Sequence, residues 1–242
     1  NLPMLYTIKC RIMSSTREIA SLHKTIGLRR LGIRNHSLWL DGHRFVIRGV
    51  ACGEVDSTSF EQRIMTTKGQ NTTEIIDLPS DGFFSCGERS KLERHLQSSD
   101  ESGRPTIIRV HPETRPSAMP DILCKLTNHP SVFITVIPPS LLPGVENFST
   151  LKGTMLIAKE FSSESEFTKL PNGVDIAIIE IADLKPDAPW KTPPSHPTIA
   201  WDKEMPSQRK ECDRFQAVLA NRRTSSGGPP SSWDWAGFLV GN

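Results

Sequence analysis

The stretch LWLDGHRFVIRGV, residues 38–50, carries the strongest indication of how this chain folds. Its first half is centred on Asp41-Gly42, a pair that readily adopts the positive φ angles of a two-residue hairpin turn. Its second half, from Phe45 to Val50, is largely apolar with little alternation, which is typical of a strand buried on both faces of a parallel sheet. The stretch therefore predicts a hairpin that leads directly into the first strand of a buried sheet.

Similar short apolar runs recur throughout the rest of the chain, and helix-compatible sequence separates some of them. This order predicts an α/β fold, namely a compact (β/α)8 barrel of the TIM type, with an open doubly wound sheet as the alternative. Before the hairpin, residues 5–12 alternate as in a half-buried strand. The predicted barrel runs are residues 45–50, 74–78, 106–110, 132–137, 154–158, 175–181, 198–201 and 236–240, and the predicted helices are 88–97, 117–126 and 208–221.

The composition is that of a globular protein. Of 242 residues, 36% are hydrophobic and 23% are charged, and the formal net charge is +2. This balance argues against a dedicated nucleic-acid binder, which would concentrate Lys and Arg on one face. No apolar run approaches the roughly 18 residues of a transmembrane helix, and the start Asn1-Leu2-Pro3 shows no signal-peptide pattern. We expect a soluble or peripheral protein whose compartment the sequence leaves open.

Motifs for metals, cofactors and nucleophiles are absent from the sequence. The five cysteines are scattered without a Cys-x-x-Cys pair, which argues against a disulfide framework and a zinc site and suggests buried free thiols. There is no His-Glu-x-x-His pattern, no phosphate-binding glycine loop followed by Lys, and no Gly-x-Ser-x-Gly elbow. We therefore expect no metal and no cofactor.

Several stretches resemble glycoside hydrolase family 2, which contains β-galactosidases, β-glucuronidases and β-mannosidases. IGLRR at 26–30 together with residues 38–50 is similar to the family passage "IGFR … F.LNG.P..LRGV", which joins an immunoglobulin-like domain to barrel strand one. PMLY at 3–6 resembles the "P.LY" of that domain, and NHPSV at 128–132 resembles the motif that leads into strand four. The resemblance implies remnant β-sandwich strands and a linker in residues 1–40, followed by a trimmed barrel in residues 41–242.

The resemblance also implies where the two carboxyl groups of a retaining glycosidase would lie. The acid/base Glu closes the pattern "NHPSV..WS.GNE", and the same spacing here leads to Ser140, which cannot serve as that acid. A short shift that uses Glu146 is the alternative. The nucleophile pattern "KP.I..E" leads to Asp202, which is one methylene shorter than Glu and is equally interpretable as an ordinary strand-end acid. We therefore expect no catalytic residue, with Ser140 and Asp202 as vestigial positions.

Other polar or aromatic residues near predicted strand ends are candidates for a site. Glu160, Glu180 and Glu204 are alternative acids. Glu160 and Glu180 would form a cluster with Asp202 that is able to support acid/base chemistry or to bind a cation, although strand-end acids usually face water. Glu54, the last residue of a passage that resembles "GVN.HE", and Trp201 are candidates for contacts with a sugar.

Three functional hypotheses follow. The favoured one is a non-catalytic barrel that acts as a structural or accessory subunit of a larger assembly, because a fold can persist after its site is lost. The others are a glycosidase with a rearranged pair, such as Asp202 with Glu180, and a sugar-binding module without turnover. The expected partners are other protein subunits, with carbohydrate possible and no nucleic acid. Half a sandwich would expose strands that need covering by the same chain or by a partner, and Trp39, Trp233 and Trp235 are candidate interface residues.

Overall fold

The fold is described from a computed structural model of the chain. The structure describes residues 5–27, 30–54, 60–67, 71–80, 88–144, 154–161, 169–181, 196–220 and 235–242.

The first two strands form a hairpin with two unlike faces. Strands β1 (Leu5–Ser14) and β2 (Arg17–Gly27) pair only with each other, in antiparallel register. Because side chains alternate along a strand, one face carries Tyr6, Ile8, Cys10, Ile12, Ala20 and Leu22, and the other carries Thr7, Lys9, Arg11, Ser21 and His23. The apolar face is exposed, with Ile12 and Leu22 each 63% accessible. The predicted strand in residues 5–12 is confirmed, but its predicted half-burial is wrong, because residues on both faces are exposed.

A second small sheet closes the N-terminal mouth of the barrel. It contains β3 (Leu31–Arg34), β4 (Ser37–Leu40) and β5 (His43–Phe45). The predicted hairpin joins β4 to β5, since Asp41 and Gly42 have φ angles of 51° and 84°. Leu31 and Leu38 pack into the barrel interior, and the Phe45 ring contacts Phe133 edge to face at 5.7 Å. The sheet includes residues on both sides of position 40, so the division at that position stays a prediction.

Eight parallel strands then close into a barrel, which confirms the predicted fold class and excludes the open sheet. Each strand pairs with the next along the chain, and the last pairs with the first. Every predicted run overlaps one of the eight barrel strands. The strands are β6 (Ile47–Glu54), β7 (Thr73–Asp77), β8 (Thr106–Arg109), β9 (Val132–Val136), β10 (Leu156–Phe161), β11 (Ile176–Glu180), β12 (Thr198–Asp202) and β13 (Gly237–Val240).

Four α-helices lie among the described residues, and three of them were predicted. They are α1 (Phe60–Thr67), α2 (Glu88–Ser102), α3 (Met119–Leu126) and α4 (Arg209–Ala220). Helix α1 was not predicted, because its sequence FEQRIMTT is short and ends in two β-branched threonines that disfavour a helix. None of these described helices is long and apolar enough to cross a lipid bilayer.

The core has two layers, which explains why the strands do not alternate in polarity. Ile75 packs into the barrel interior, while its neighbour Ile76 packs outward among side chains of α2 and α3. Ile107 and Ile108 divide in the same way between the two layers. Both faces of each strand are therefore buried, as expected for a parallel sheet.

One prediction about the tryptophans needs correction. Trp235 is not a surface residue: it is buried and packs beside Phe238, with ring centroids 6.3 Å apart. Trp39 is half-buried beneath the Arg34 guanidinium, and Trp233 lies outside the described residues.

The cysteines are free, as predicted, but only some of them are buried. Burial, reinforced by the charge of Glu74, raises the pKa of Cys52 to about 12, and burial also raises the pKa of Cys212 to about 11. Both thiols therefore stay protonated near neutral pH and are poor nucleophiles. Cys10 and Cys124 are exposed, contrary to the interpretation of buried thiols, and Cys86 lies outside the described residues.

Barrel closure gives a direct test of the packing. A Cβ atom at Gly237 would lie 2.6 Å from Ile47 Cβ, and this contact cannot relax by moving the end of a flexible chain. We predict that Gly237→Ala lowers the free energy of unfolding by about 1–3 kcal/mol. A Cβ atom at Gly32 in β3 meets no atom within 4 Å, so Gly32→Ala is the matched control. Equal urea midpoints for the two variants would contradict this packing.

Candidate functional site

Five charged side chains meet at the C-terminal rim of the barrel. Asp77, Arg109 and Glu180 are the last residues of β7, β8 and β11, Glu160 is next to last in β10, and Lys203 follows β12 directly. Because the parallel strands of a barrel end at one rim, these side chains converge, and this rim is where barrel enzymes place their chemistry. A pocket of about 380 Å³ opens beside them.

Asp77 and Arg109 form a two-pronged ion pair in this rim. Arg109 Nε and Nη2 donate to the two Asp77 carboxylate oxygens at 2.5 and 2.8 Å. Burial acts to lower the pKa of Arg109, but the hydrogen bonds and negative charge of Asp77 outweigh it, and the pKa lies above its usual value. The guanidinium is therefore a permanent cation held in a fixed orientation.

Lys203 connects the next two carboxylates. Its ammonium donates to Glu180 Oε2 at 2.8 Å and to Glu160 Oε2 at 3.4 Å. The other oxygen of Glu160, Oε1, lies 3.9 Å from Arg109 Nη1. The five side chains thus form one chain of ion pairs, in the order Asp77, Arg109, Glu160, Lys203 and Glu180.

Trp201 forms the floor beneath this chain. The Arg109 guanidinium and the Lys203 ammonium each lie 4.7 Å from the centre of its ring. The indole N–H donates to the Gly241 carbonyl at 2.8 Å. Trp201 is only 1% exposed, because its ring packs in the barrel interior and the two cations lie against it.

Asp202 turns away from the rim. Trp201 points into the barrel interior, so the next residue of β12 points to the other side. Asp202 Oδ1 accepts hydrogen bonds from the backbone N–H groups of Glu204 and Met205 at 3.0 and 3.1 Å. Asp202 is thus a buried cap for the loop that follows β12, and the Glu204 side chain is exposed.

The remaining candidates lie at the edge of the pocket or outside it. Ser140 is exposed on the 3₁₀ helix Pro139–Gly144 that follows β9, and it is not among the residues that line the pocket. Glu54 lines the pocket at the end of β6 and is exposed. Glu146 lies outside the described residues. The structure therefore brings Glu54, Glu160, Glu180 and Trp201 to the rim, turns Asp202 away from it, and places Ser140 beside the pocket but outside its lining.

Sequence reasoning missed the basic half of the site. Arg109 and Lys203 were not singled out, and neither was Asp77, the acidic partner of Arg109, although Asp77 and Arg109 are each the first charged residue after a buried run. The sequence prediction was based on a pair of carboxylates and therefore did not use the charged residues at these strand ends. Among the described residues, no three His, Cys, Asp or Glu side chains are grouped so as to hold a metal ion.

Comparisons with solved structures identify the fold. A family 2 β-galacturonidase from Eisenbergiella tayi, bound to galacturonate, matches with a TM-score of 0.65 and 12% identity over 99% of this chain and 51% of its own. A Ruminococcus gnavus β-glucuronidase matches with a TM-score of 0.65 and 12% identity over 98% of this chain and 50% of its own. A Bifidobacterium dentium β-glucuronidase matches with a TM-score of 0.58, 12% identity, and coverage of 98% and 46%.

These matches confirm the predicted resemblance as a likeness of fold. No protein-family model matches the sequence, and no curated protein matches it. The chain spans about half the length of the solved structures that it resembles.

The chain of ion pairs can be tested through Lys203. Removing its ammonium leaves Glu180 without its ion-pair partner and Glu160 with only the more distant Arg109, so we predict that Lys203→Met lowers the free energy of unfolding by about 1–2 kcal/mol. Lys210 on α4 is exposed and no ion pair with a described residue involves it, so Lys210→Met is the control. Urea denaturation measures both variants, and a Lys203→Met variant as stable as the control would show that the pairs contribute nothing.

Proposed function

We propose that this chain is a non-catalytic, glycoside-hydrolase-like barrel that serves as an accessory subunit of a larger protein assembly. One observation carries the first half of this proposal: the charged groups at the rim are bonded to each other. Lys203 donates to one oxygen of both Glu160 and Glu180, and Arg109 binds both oxygens of Asp77.

This arrangement is a poor basis for glycoside hydrolysis. A retaining glycosidase needs one carboxyl group that gives its proton to the leaving oxygen and a second that attacks the anomeric carbon, about 5–5.5 Å apart. Glu160 and Glu180 lie on neighbouring strands at the rim, and both are bonded to the Lys203 ammonium. Asp202 uses its carboxylate to cap a loop. The position expected for the acid is a serine on an exposed 3₁₀ helix.

Sugar binding without turnover is the second candidate. The pocket of about 380 Å³ lies within the usual size range of ligand sites, and its lining joins apolar walls to polar groups, including Glu54, His111 and Glu160. The covered face of Trp201 argues against it, because a sugar could not stack there without displacing Arg109 and Lys203.

The first test is hydrolysis of a broad panel of aryl glycosides. We predict no release of aglycone above the buffer rate, and the same result for Asp202→Asn and Glu180→Gln. Turnover by the wild type that either substitution removes would establish the rearranged-pair glycosidase instead. Saturable binding of a sugar without turnover, lost in Arg109→Ala, would favour the sugar-binding module.

The apolar face of the β1–β2 hairpin supports the second half of the proposal. An isolated two-stranded hairpin is marginally stable in water. Here one face is apolar and largely open to solvent, with Tyr6, Ile8, Ile12 and Leu22 between 41% and 63% exposed. Contiguous apolar surface of this kind is typical of an interaction site. We infer that another subunit covers this face, in the way that two sheets stack through their apolar faces.

Photocrosslinking from the two faces of β2 tests the interface. Leu22 and Ser21 are neighbours on one strand but point to opposite faces. In source cells, we predict that a p-benzoylphenylalanine in place of Leu22 crosslinks to a second polypeptide, while the same group in place of Ser21 does not. Equal crosslinking from both positions, or crosslinks confined to the chain itself, would contradict a partner subunit at this face.

A further inference from the structure

The small sheet of β3, β4 and β5 has a second face, which points away from the barrel. Leu31 and Leu38 pack into the barrel interior, so the residues that alternate with them lie on the opposite, outer face. That outer face carries Gly32 and Arg34 from β3 and Trp39 from β4. The antiparallel register places Trp39 directly across from Gly32.

The outer face is open at Gly32. A Cβ atom added there would meet no atom within 4 Å. Arg34 follows two residues later, and its guanidinium lies 4.5 Å from the centre of the Trp39 ring. Arg30 precedes by two residues, and its carbonyl accepts a hydrogen bond from the Asp41 N–H, so the pairing of the two strands continues to it. The open space at Gly32, here called the Gly32 notch, thus has an arginine on either side along the chain and an indole across from it.

The notch has more donors than acceptors. Arg30 and Arg34 are exposed, and no described residue accepts a hydrogen bond from either guanidinium or forms an ion pair with it. Asp41 is the only acidic residue between positions 30 and 45, and its Oδ1 already accepts from the Arg30 backbone N–H at 2.9 Å. The Trp39 indole N–H is buried and has no acceptor in the part of the chain that the structure describes. Arg44, opposite Trp39 on β5, is already engaged in a contact, so the positive excess does not depend on it.

These features suit a carboxylate presented by another protein. A guanidinium that stacks on an aromatic ring keeps its N–H groups available to a carboxylate, which can accept two of them side by side. Glycine lets that carboxylate approach the sheet closely, because no side chain stands in its way. Tryptophan and arginine are also the residue types that most often dominate the binding energy of protein interfaces.

We propose that the Gly32 notch docks an acidic segment of another polypeptide, with one carboxylate bound to Arg34 in the notch and a neighbouring carboxylate paired with Arg30. A nucleic acid fits less well, because a base would need the ring face that Arg34 already covers, and the net charge of the chain is only +2. The site does not depend on the proposed accessory function, since none of its residues belongs to the rim or to the β1–β2 hairpin. Binding at the notch and crosslinking from Leu22 can therefore succeed or fail separately.

Nitrogen–proton correlation NMR of the full chain tests the notch with a hexaglutamate peptide and with hexaglutamine. The indole N–H signal of Trp39, assigned by its loss in Trp39→Phe, is the reporter. We expect hexaglutamate to shift this signal saturably, with a Kd of about 1 mM or tighter. Hexaglutamine should bind at least about tenfold more weakly, because it lacks the charge that Arg30 and Arg34 recognise.

Two double variants separate recognition at the notch from general attraction between opposite charges. Arg30→Gln/Arg34→Gln should abolish the shift while the rest of the spectrum stays that of a folded protein. Lys210→Gln/Arg214→Gln removes two exposed cations from α4, outside the notch, and should leave binding unaltered.

A third variant tests the space rather than the charge. Gly32→Val keeps both arginines but fills the notch, so it should weaken hexaglutamate binding at least about tenfold. It should fold normally, since a Cβ atom has room there and valine favours a strand.

Four results would overturn the proposal: equal shifts with both peptides, no saturation, binding retained in Arg30→Gln/Arg34→Gln, or binding unaltered by Gly32→Val. Equal loss of binding in both double variants would also overturn it, because the attraction would then lack a site. Tighter binding of an oligothymidylate at the same signal would replace the acidic polypeptide with a nucleic acid.

Discussion

Closure of the eight-stranded sheet is the constraint on which the rest of the molecule depends. The last strand must lie directly against the first, and this contact is made where Gly237 meets Ile47 without room for a Cβ atom. Once closed, the barrel has no free edge, its interior must be filled by apolar side chains, and all strand ends meet at one rim. The small sheet of β3, β4 and β5 fills the opposite mouth with Leu31, Leu38 and Phe45.

The charged side chains that converge at the rim are paired with one another. Charges that are partly withdrawn from water need partners, and Asp77, Arg109, Glu160, Lys203 and Glu180 supply them for each other. An active site commonly leaves one group with an unusual tendency to give or take a proton. At this rim the charged groups are bonded to one another instead, which favours a structural role for them. The exposed apolar face of the β1–β2 hairpin is the feature on which we base the proposed partner subunit.

The sequence predicted the backbone far better than the rim. Runs buried on both faces identified all eight strands, and Asp41-Gly42 identified the hairpin turn, because both signals are local. Because polarity does not alternate along these runs, the sequence does not reveal which way each strand-end side chain points. The order Trp201-Asp202-Lys203 does not reveal that the tryptophan faces the barrel interior. Because it does, Asp202 points to the other side and caps its loop, while Lys203 lies over the Trp201 ring and bonds to the glutamates. Helix α1 was missed because burial of Phe60, rather than local propensity, holds it in place.

Native mass spectrometry of the chain isolated from its source tests the central claim most directly. A non-catalytic accessory subunit should appear in a complex with at least one other polypeptide, at a mass well above the 27.0 kDa of this chain. A species that contains only this chain, and that hydrolyses a glycoside, would contradict the account.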